Sequence, residues 1–356
     1  MKAIILTDHF RGGGAERVAS LLINELVKVP ENKIHVCVFE DSNNYNIDKT
    51  KLAYHVLSPR KLFYLIQIIV RMFRLIKLIR KISPNVIYSF GPIMASYIYI
   101  ATKISRVKGI KIISSERNDP RKEPVSNIKK KIRDFCYNHA DVLVCQTQMA
   151  VDLLKKRGVK TKYVLISNPI TPNLPEWEGF ESKNIITAAR LTIQKNLPLL
   201  IDAFNEVHKI HPDYKLTIYG EGELRKYLEN LVTDKGLQGI VTLPGFSTNI
   251  HEVMKNAYMY VSSSDYEGIS NSMLEALGIG LPCICTDCPV GGARMCIKNY
   301  VSGLLVEVGN KDQLVNAMNY LIDNKGMAKS YSRESRKIND LYSLEKITRK
   351  WIEIAE

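Results

Sequence analysis

Short apolar runs alternate with longer stretches of helical periodicity along the whole chain. In the first half, the runs that predict strands cover residues 3–6, 34–39, 86–90, 110–114, 142–145 and 163–166. In the second half they cover residues 185–188, 216–219, 240–243, 258–262, 283–286 and 304–306. Strands that alternate with helices are typical of α/β folds built on doubly wound parallel sheets. The pattern therefore predicts two Rossmann-like domains.

A proline-rich segment separates the two halves. Residues 167–175 contain three prolines, which suit neither a helix nor a central strand. We therefore place the boundary there, with one domain at residues 1–167 and a second at residues 168–342. The chain has 356 residues, which also exceeds the usual size of a single core. Residues 343–356 predict a closing helix.

In the second half, a strand, a short acidic-glycine turn and a helix follow one another directly. The strand at residues 258–261 is aromatic and β-branched, and Ser270 or Asn271 can cap the helix. Free backbone N–H groups at such a helix start form a site for a phosphate or a sugar oxygen. Glu267 lies in the turn and Glu275 inside the helix, so the two carboxylates can hold different parts of one long ligand. The alternative is a solvated turn glutamate and a charge on the helix surface.

Cations follow another predicted strand of the second half. Arg190 and Lys195 lie on a strand-to-helix turn, where two cations can clamp a diphosphate. Two other strand ends carry glycines, at Gly220 with Gly222 and at Gly245, which precedes Phe246. These positions coincide with the carboxyl ends of parallel strands, where doubly wound sheets bind ligands.

The first strand of the chain ends in three consecutive glycines, Gly12, Gly13 and Gly14, and a helix follows. Glycines at this place let the backbone approach an anion closely. The dinucleotide pattern G-x-G-x-x-G is not met, because Ala15 and Arg17 follow. The segment predicts either an anion-binding loop or a turn without a ligand.

Together these four motifs resemble the retaining glycosyltransferases of family 4, which have the GT-B fold of two Rossmann-like domains facing across a cleft. The resemblance covers nearly the whole chain. It implies an N-terminal acceptor-binding domain, a C-terminal domain that binds a nucleotide sugar, and a last helix that packs back on the N-terminal domain. It implies a nucleotide-diphosphate sugar as co-substrate, UDP-linked in our interpretation, with no metal or organic cofactor.

By the same resemblance, Glu267 holds the sugar hydroxyls and faces the developing positive charge, while Glu275 holds the ribose. Arg190 and Lys195 neutralise the departing diphosphate. The backbone N–H groups of Gly268, Ile269, Ser270 and Asn271 assist them. The rest of the donor-binding site is formed by Gly13, Gly14, Gly220, Gly222, Gly245 and Phe246. Many family members have a histidine after a strand of the first domain. In this chain Glu116 or Arg117 stands at that place. We assign a catalytic role to Glu116 and contact with the acceptor to Arg117. The alternative is a capping turn without a ligand.

Charge is unevenly distributed along the chain. Residues 1–170 hold 30 Lys and Arg against 13 Asp and Glu, whereas residues 171–356 hold 20 against 23. Such asymmetry indicates a polyanionic partner for the first half. We exclude a single-stranded nucleic acid, because the interleaved aromatic residues of a stacking platform are absent from the sequence. The start of the chain does not have the pattern of a signal peptide.

Residues 62–82 predict an amphipathic helix that is too cationic to span a bilayer. At helical spacing Arg71, Arg74, Lys77 and Lys81 share one side, and the apolar residues Leu65, Ile69, Met72, Ile76 and Ile79 share the other. The helix is either a core element with a solvated edge or a docking element for an anionic membrane or a lipid diphosphate. We expect a protein at the cytoplasmic face of a membrane that acts on a lipid-linked glycan.

The seven cysteines indicate reduced thiols in a cytoplasmic protein. The group Cys283, Cys285, Cys288 and Cys296 raises the alternative of a zinc site. Against it, Cys283 and Cys285 fit a buried strand, and we predict no metal.

Other activities fit parts of the sequence. A nucleotide-sugar epimerase has the same two-domain fold and releases products without an acceptor. A non-catalytic scaffold explains the charge but not the cations and carboxylates together. A glycoside hydrolase needs two carboxylates on opposite sides of the scissile bond, whereas Glu267 and Glu275 lie on one turn and helix.

Overall fold

The computed structural model describes residues 1–42, 45, 47–58 and 63–356, without the side chain of Tyr64. The chain forms two compact units. Unit one comprises Met1–Pro169 and Leu344–Glu356, and unit two comprises Ile170–Ser343. The C-terminal segment thus belongs to the same unit as the N-terminal half.

Unit one is a seven-stranded parallel sheet in the order β3-β2-β1-β4-β5-β6-β7. Its strands are β1 (Lys2–Thr7), β2 (Lys33–Val38), β3 (Ala53–Val56), β4 (Val86–Phe90), β5 (Lys111–Glu116), β6 (Val142–Cys145) and β7 (Lys162–Leu165). Its helices are α1 (Gly14–Leu26), α2 (Tyr64–Ile82), α3 (Pro92–Ser105), α4 (Asn127–Tyr137), α5 (Gln148–Lys156) and, at the end of the chain, α14 (Leu344–Glu353).

Unit two is a six-stranded parallel sheet in the order β10-β9-β8-β11-β12-β13. Its strands are β8 (Asn184–Ala188), β9 (Lys215–Tyr219), β10 (Val241–Gly245), β11 (Met259–Ser262), β12 (Cys283–Thr286) and β13 (Leu304–Val306). Its α-helices are α6 (Leu197–Ile210), α7 (Arg225–Asp234), α8 (Ile250–Lys255), α9 (Asn271–Ile279), α10 (Gly292–Cys296), α11 (Lys311–Asp323), α12 (Lys325–Ser335) and α13 (Ile338–Leu341). Short 3-10 turns cover Gly179–Glu181 and Ile193–Lys195.

Alternating side chains of the central strands pack on opposite faces of the unit-one sheet. Ile4 and Leu6 belong to the core cluster that includes buried residues of α2 and α3. The helix α14 packs beside α1. There the Trp351 ring lies 6.0 Å from the ring of Tyr88 and 5.4 Å from that of Phe90. The last helix of the chain is therefore anchored to unit one by a buried tryptophan.

The predicted organisation as two doubly wound parallel sheets is confirmed, and apolar runs correctly located twelve of the strands. They missed β3, whose four residues are all at least partly exposed. This strand lies at the edge of the sheet and pairs only with β2, so it needs no apolar run. The prediction also started the amphipathic helix at Leu62, which lies outside the described residues.

Candidate active site

In unit two, the loop after β8 is fixed against the turn after β11 at the carboxyl edge of the sheet. The Asp265 N–H donates to the carbonyl of Gln194 at 2.9 Å. The Ser263 hydroxyl donates to the carbonyls of Lys195 at 2.9 Å and Asn196 at 3.0 Å. The Asn196 amide donates to the Asp265 carboxylate at 2.8 Å. Because β8 and β11 are neighbours in the sheet, these bonds bring two distant sequence motifs together.

Glu267 is oriented by three side chains of this assembly. The Lys195 ammonium forms an ion pair with its Oε1 atom. The Ser264 hydroxyl donates to Oε1 at 3.1 Å, and the Gln194 amide donates to Oε2 at 3.3 Å. The side chain of Glu267 is still 17% exposed. The carboxylate therefore has a fixed direction and an open side.

The two predicted diphosphate-binding cations have different surroundings. Lys195 is bound to Glu267 and is only 13% exposed. Arg190 is exposed, and within the described part of the chain its guanidinium forms no hydrogen bond or ion pair. Arg190 is therefore the cation that can turn towards an anion without first breaking a contact.

The turn after β11 leads directly into α9. The hydroxyl of Ser270 accepts the Met273 N–H at 3.4 Å, so of the two predicted caps, Ser270 and Asn271, Ser270 caps the helix. The segment of Gly268 to Asn271 thus forms the positive end of a helix dipole. Helix α10 approaches it so closely that a Cβ atom on Gly292 would lie 1.7 Å from the Gly268 carbonyl oxygen. Gly292 is a requirement of this turn that the sequence motifs did not indicate.

Glu275 lies one turn inside α9 and has its own partners. The Thr171 hydroxyl donates to its Oε1 atom at 2.8 Å. The Nε2 atom of His251 lies 3.2 Å from its Oε2 atom, and the Glu275 side chain is 12% exposed. The structure adds Thr171 and His251, which no sequence motif had indicated, to the surroundings of the predicted ribose-binding carboxylate.

The glycines after β9 permit close approach of neighbouring loops. Gly220 has a φ of +133°, and a Cβ atom there would lie 1.9 Å from the carbonyl oxygen of Ala189. A Cβ atom on Gly222 would similarly meet a backbone oxygen at 2.4 Å. Gly245 has a φ of +95° and accepts the Gly220 N–H at 2.9 Å, and Phe246 after it is 53% exposed. Close packing accounts for Gly220 and Gly222, and positive φ angles account for Gly220 and Gly245.

In unit one, the glycine-rich loop is the start of α1. Gly13 is its N-cap residue and Gly14 its first residue. A Cβ atom on Gly13 would lie 1.8 Å from a carboxylate oxygen of Glu16. The backbone N–H groups of the loop therefore lie at a helix N-terminus, as an anion-binding loop requires.

Glu116, at the end of β5, is sealed within unit one. Its Oε1 atom accepts the backbone N–H groups of Arg117 at 3.0 Å and Asn118 at 3.2 Å. Its Oε2 atom accepts the Tyr137 hydroxyl at 3.3 Å and lies 3.7 Å from an Nη1 atom of Arg133. Burial raises the pKa of the Glu116 carboxyl to about 7, against the opposing effects of Arg133 and the hydrogen bonds.

We therefore correct the catalytic role predicted for Glu116. With a relative exposure of 2%, its carboxylate is buried and supports the loop after β5 through the N–H groups of Arg117 and Asn118. Arg117 beside it is partly exposed and donates to the side-chain oxygens of Asn168 and Ser115. Burial lowers the pKa of the Arg117 guanidinium to about 10, partly offset by Glu116. Arg117 is the better placed of the two for contact with a ligand.

The predicted cationic side of α2 needs a second correction. Arg71 is 8% exposed, lies over the ring of Phe39 and donates to the side chains of Ser58 and Gln67. It belongs to the interior because α2 lies against the end of β2 at this turn. The other three predicted cations, Arg74, Lys77 and Lys81, are exposed.

The cysteines belong to the core. All seven are free thiols and six are buried, including Cys283 and Cys285 of β12. Burial raises the pKa of the Cys288 thiol to about 12. Over the described ranges, no three His, Cys, Asp or Glu side chains are grouped so that they could hold a metal ion.

Comparison with known proteins identifies the family. Residues 176–338 match the model described as glycosyl transferases group 1, and residues 12–174 match that of glycosyltransferase family 4. The two segments cover nearly the whole chain in one order. The chain belongs to the group 1 glycosyltransferases.

Relatives and solved structures agree with this membership. The amylovoran biosynthesis glycosyltransferase AmsD of Erwinia amylovora is 26% identical over 99% of each chain. A Campylobacter jejuni enzyme, an N-acetylgalactosaminyltransferase whose name gives a diphospho-undecaprenol acceptor, is 30% identical over 48% of this chain and 46% of its own. The Anabaena protein HepE, solved with UDP and glucose, has a TM-score of 0.87 at 18% identity over 99% of this chain and 98% of its own. The predicted GT-B fold is confirmed.

Proposed function

We propose that this chain is a retaining glycosyltransferase that moves a hexose or an N-acetylhexosamine from its UDP derivative to a hydroxyl of a polyprenyl-diphosphate-linked glycan, in the synthesis of a surface polysaccharide. The main support for this proposal is the ion pair between Lys195 and Glu267 at the carboxyl edge of the unit-two sheet. The site pairs a cation suited to a diphosphate with an oriented carboxylate suited to a sugar. The names of AmsD and of the Campylobacter relative support the polysaccharide and the lipid-linked acceptor, and HepE supports UDP.

In the proposed reaction, the bond between the sugar C1 atom and the β-phosphate oxygen breaks, and a bond from C1 to the acceptor oxygen forms. Glu267 faces the positive charge that develops on the sugar. Arg190, Lys195 and the N-terminus of α9 neutralise the departing UDP, so the proposal requires no metal ion. The acceptor attacks on the face that UDP leaves and gives its proton to a β-phosphate oxygen. The products are UDP and the lengthened glycan.

We assign binding of the donor to unit two, with Glu275 at the ribose, and binding of the acceptor to unit one, with Arg117 as its cation. We further propose that the enzyme acts at the cytoplasmic side of a membrane, where it meets its lipid-linked acceptor. Among the described helices, none combines the length and the apolarity needed to cross a bilayer.

Nucleotide release tests the proposal. A panel of UDP- and GDP-sugars is incubated with the protein, with and without a polyprenyl-diphosphate glycan extract. We expect release of UDP from one sugar only in the presence of the acceptor, and loss of that release in Glu275→Ala and Lys195→Ala. Equal release without acceptor would support the epimerase instead. NMR of the product's anomeric proton tests retention of configuration.

A further inference from the structure

The outer surface of unit one has an unusual accumulation of exposed apolar side chains. Of the 24 large hydrophobic residues that are exposed in the described chain, twelve lie on α2, α3 and α4 or directly before them. Helix α3 packs between α2 and α4, so the three form one continuous helical layer. A soluble surface rarely gathers so many apolar groups in one place unless the surface binds something.

On α2, the exposed apolar residues form a stripe. Leu65, Ile69 and Phe73 follow one another at intervals of one helical turn and are 72%, 68% and 66% exposed. The sequence pattern placed Leu65 and Ile69 on the same apolar side of the helix as Ile76 and Ile79. Of these four residues, only Ile76 and Ile79 are buried in the structure. Every described side chain from residue 65 to residue 70 is exposed or partly exposed. The first half of α2 therefore packs on the core through partly buried residues such as Ile68, while Leu65, Ile69 and Phe73 face solvent.

Helix α4 carries a second stripe of the same kind. Ile128, Ile132 and Phe135 lie on its exposed side and are 72%, 48% and 51% exposed. The Phe135 ring contacts Tyr99 of α3, edge to face, with ring centres 5.2 Å apart. Ile100 of α3 is also exposed. The apolar surface thus runs across all three helices.

The charges of this surface all have one sign. The chain contains no Asp or Glu between Asp48 and Glu116, whereas thirteen Lys and Arg lie in that interval. The one acidic residue within the three helices, Asp134 of α4, is buried and paired with Arg133 and Arg157 at 2.7 Å each. Exposed Lys and Arg residues flank the apolar stripes: Arg74, Lys77, Arg80 and Lys81 on α2, Lys103 on α3, and Lys129 and Lys131 on α4.

We propose that the outer surface of α2, α3 and α4, which we call the three-helix face, docks flat on an anionic lipid bilayer. The apolar stripes enter the boundary between headgroups and acyl chains, and the cations contact anionic headgroups. A second copy of the chain fits less well, since a two-fold interface would bring two basic surfaces together. The inference deepens the proposed function, because it says how the enzyme reaches a lipid-linked acceptor. Docking itself needs neither donor nor acceptor.

Flotation of the full chain with vesicles tests the inference without reference to catalysis. Vesicles of phosphatidylcholine alone are compared with vesicles that contain an equal share of phosphatidylglycerol. We expect binding to the anionic vesicles that weakens with salt, and little binding to the neutral ones. Two double variants remove the stripes: Ile69→Ser with Phe73→Ser, and Ile128→Ser with Ile132→Ser. Each should lower the partition coefficient about tenfold or more, since each removes two large apolar groups from the bilayer.

The matched control replaces exposed apolar residues of unit two. Ile210 and Leu341 are 61% and 66% exposed, so Ile210→Ser with Leu341→Ser removes similar groups elsewhere and should leave vesicle binding unchanged. Equal loss in this control, no binding of the native chain to anionic vesicles, or full binding by both stripe variants would overturn the inference. So would a dimer in solution that the stripe variants convert to monomers. Since nucleotide release is measured separately, failure of docking and failure of the proposed transferase are distinguishable.

Discussion

The sheets of the two units have the same strand order apart from the additional edge strand β7 of unit one. Each unit has a glutamate and a cation at a carboxyl edge of its sheet, but the surroundings of the two pairs differ. In unit two, Glu267 binds Lys195 and remains open on one side. In unit one, Glu116 lies near Arg133, and both side chains are at most 1% exposed. The position of a carboxylate after a parallel strand therefore does not decide its role. The number of its protein partners and its access to solvent do.

Loss of the open carboxylate should have the largest effect on catalysis. We expect Glu267→Gln to lower kcat on the order of 10²–10³-fold, because the developing charge on the sugar loses its oriented counter-charge. The measurement is the steady-state release of UDP in the presence of acceptor. Asp312→Asn, at the exposed start of α11, is the control and should retain full activity. A nearly unchanged kcat for Glu267→Gln would contradict the catalytic role of Glu267.

Removal of the exposed cation Arg190 should reduce catalysis by a similar or smaller factor than the loss of Glu267. We expect Arg190→Ala to lower kcat/KM on the order of 10²-fold, because one positive charge no longer stabilises the leaving diphosphate. Arg190 is exposed, so the variant should keep the native Tm. If kcat/KM stays unchanged while Lys195→Ala is inactive, Lys195 alone serves the diphosphate.

Loss of the sealed carboxylate should lower stability. Glu116→Ala removes a neighbour of the buried Arg133 and leaves two backbone N–H groups and the Tyr137 hydroxyl without their acceptor. We expect a loss of about 2–4 kcal/mol in the free energy of unfolding, measured by urea titration followed by circular dichroism. Asp152→Asn, on the exposed side of α5, is the control within the same unit. Unchanged stability together with a large loss of activity would instead support a catalytic role for Glu116.

The smallest effect should be a pH dependence of stability. The pKa of Glu116 is raised from 4.5 to about 7 in the folded state, so the folded chain holds this proton more tightly than the unfolded chain. Stability from this group is present below pH 4.5 and is lost as the pH rises towards 7. Glu116→Gln keeps a neutral group, and the stability of the native chain relative to this variant should fall by up to about 3 kcal/mol over that window. A constant difference from pH 4.5 to 7.5 would contradict the raised pKa.

The sequence predicted the features that depend on local pattern. Apolar runs located the central strands, and the Ser270 cap followed from a polar residue at a helix start. Burial of polar groups could not be predicted in this way, because it depends on partners far along the chain. The buried carboxylate of Glu116 is hydrogen-bonded to Tyr137, 21 residues away. The carboxylate of Glu267 is oriented by Gln194, 73 residues away. The exposure of Arg71 was predicted wrongly for the same reason, since Phe39 beneath it lies directly after β2, far along the chain from α2.

The most direct test of the central claim is UDP release from a panel of UDP-sugars, with and without a lipid-linked glycan acceptor, for the native chain, Glu267→Gln and Glu116→Gln. We predict acceptor-dependent release from one sugar by the native chain, its loss in Glu267→Gln, and substantial retention in Glu116→Gln at a temperature where that variant is folded. Release that is independent of the acceptor, or that survives in Glu267→Gln and disappears in folded Glu116→Gln, would contradict the account.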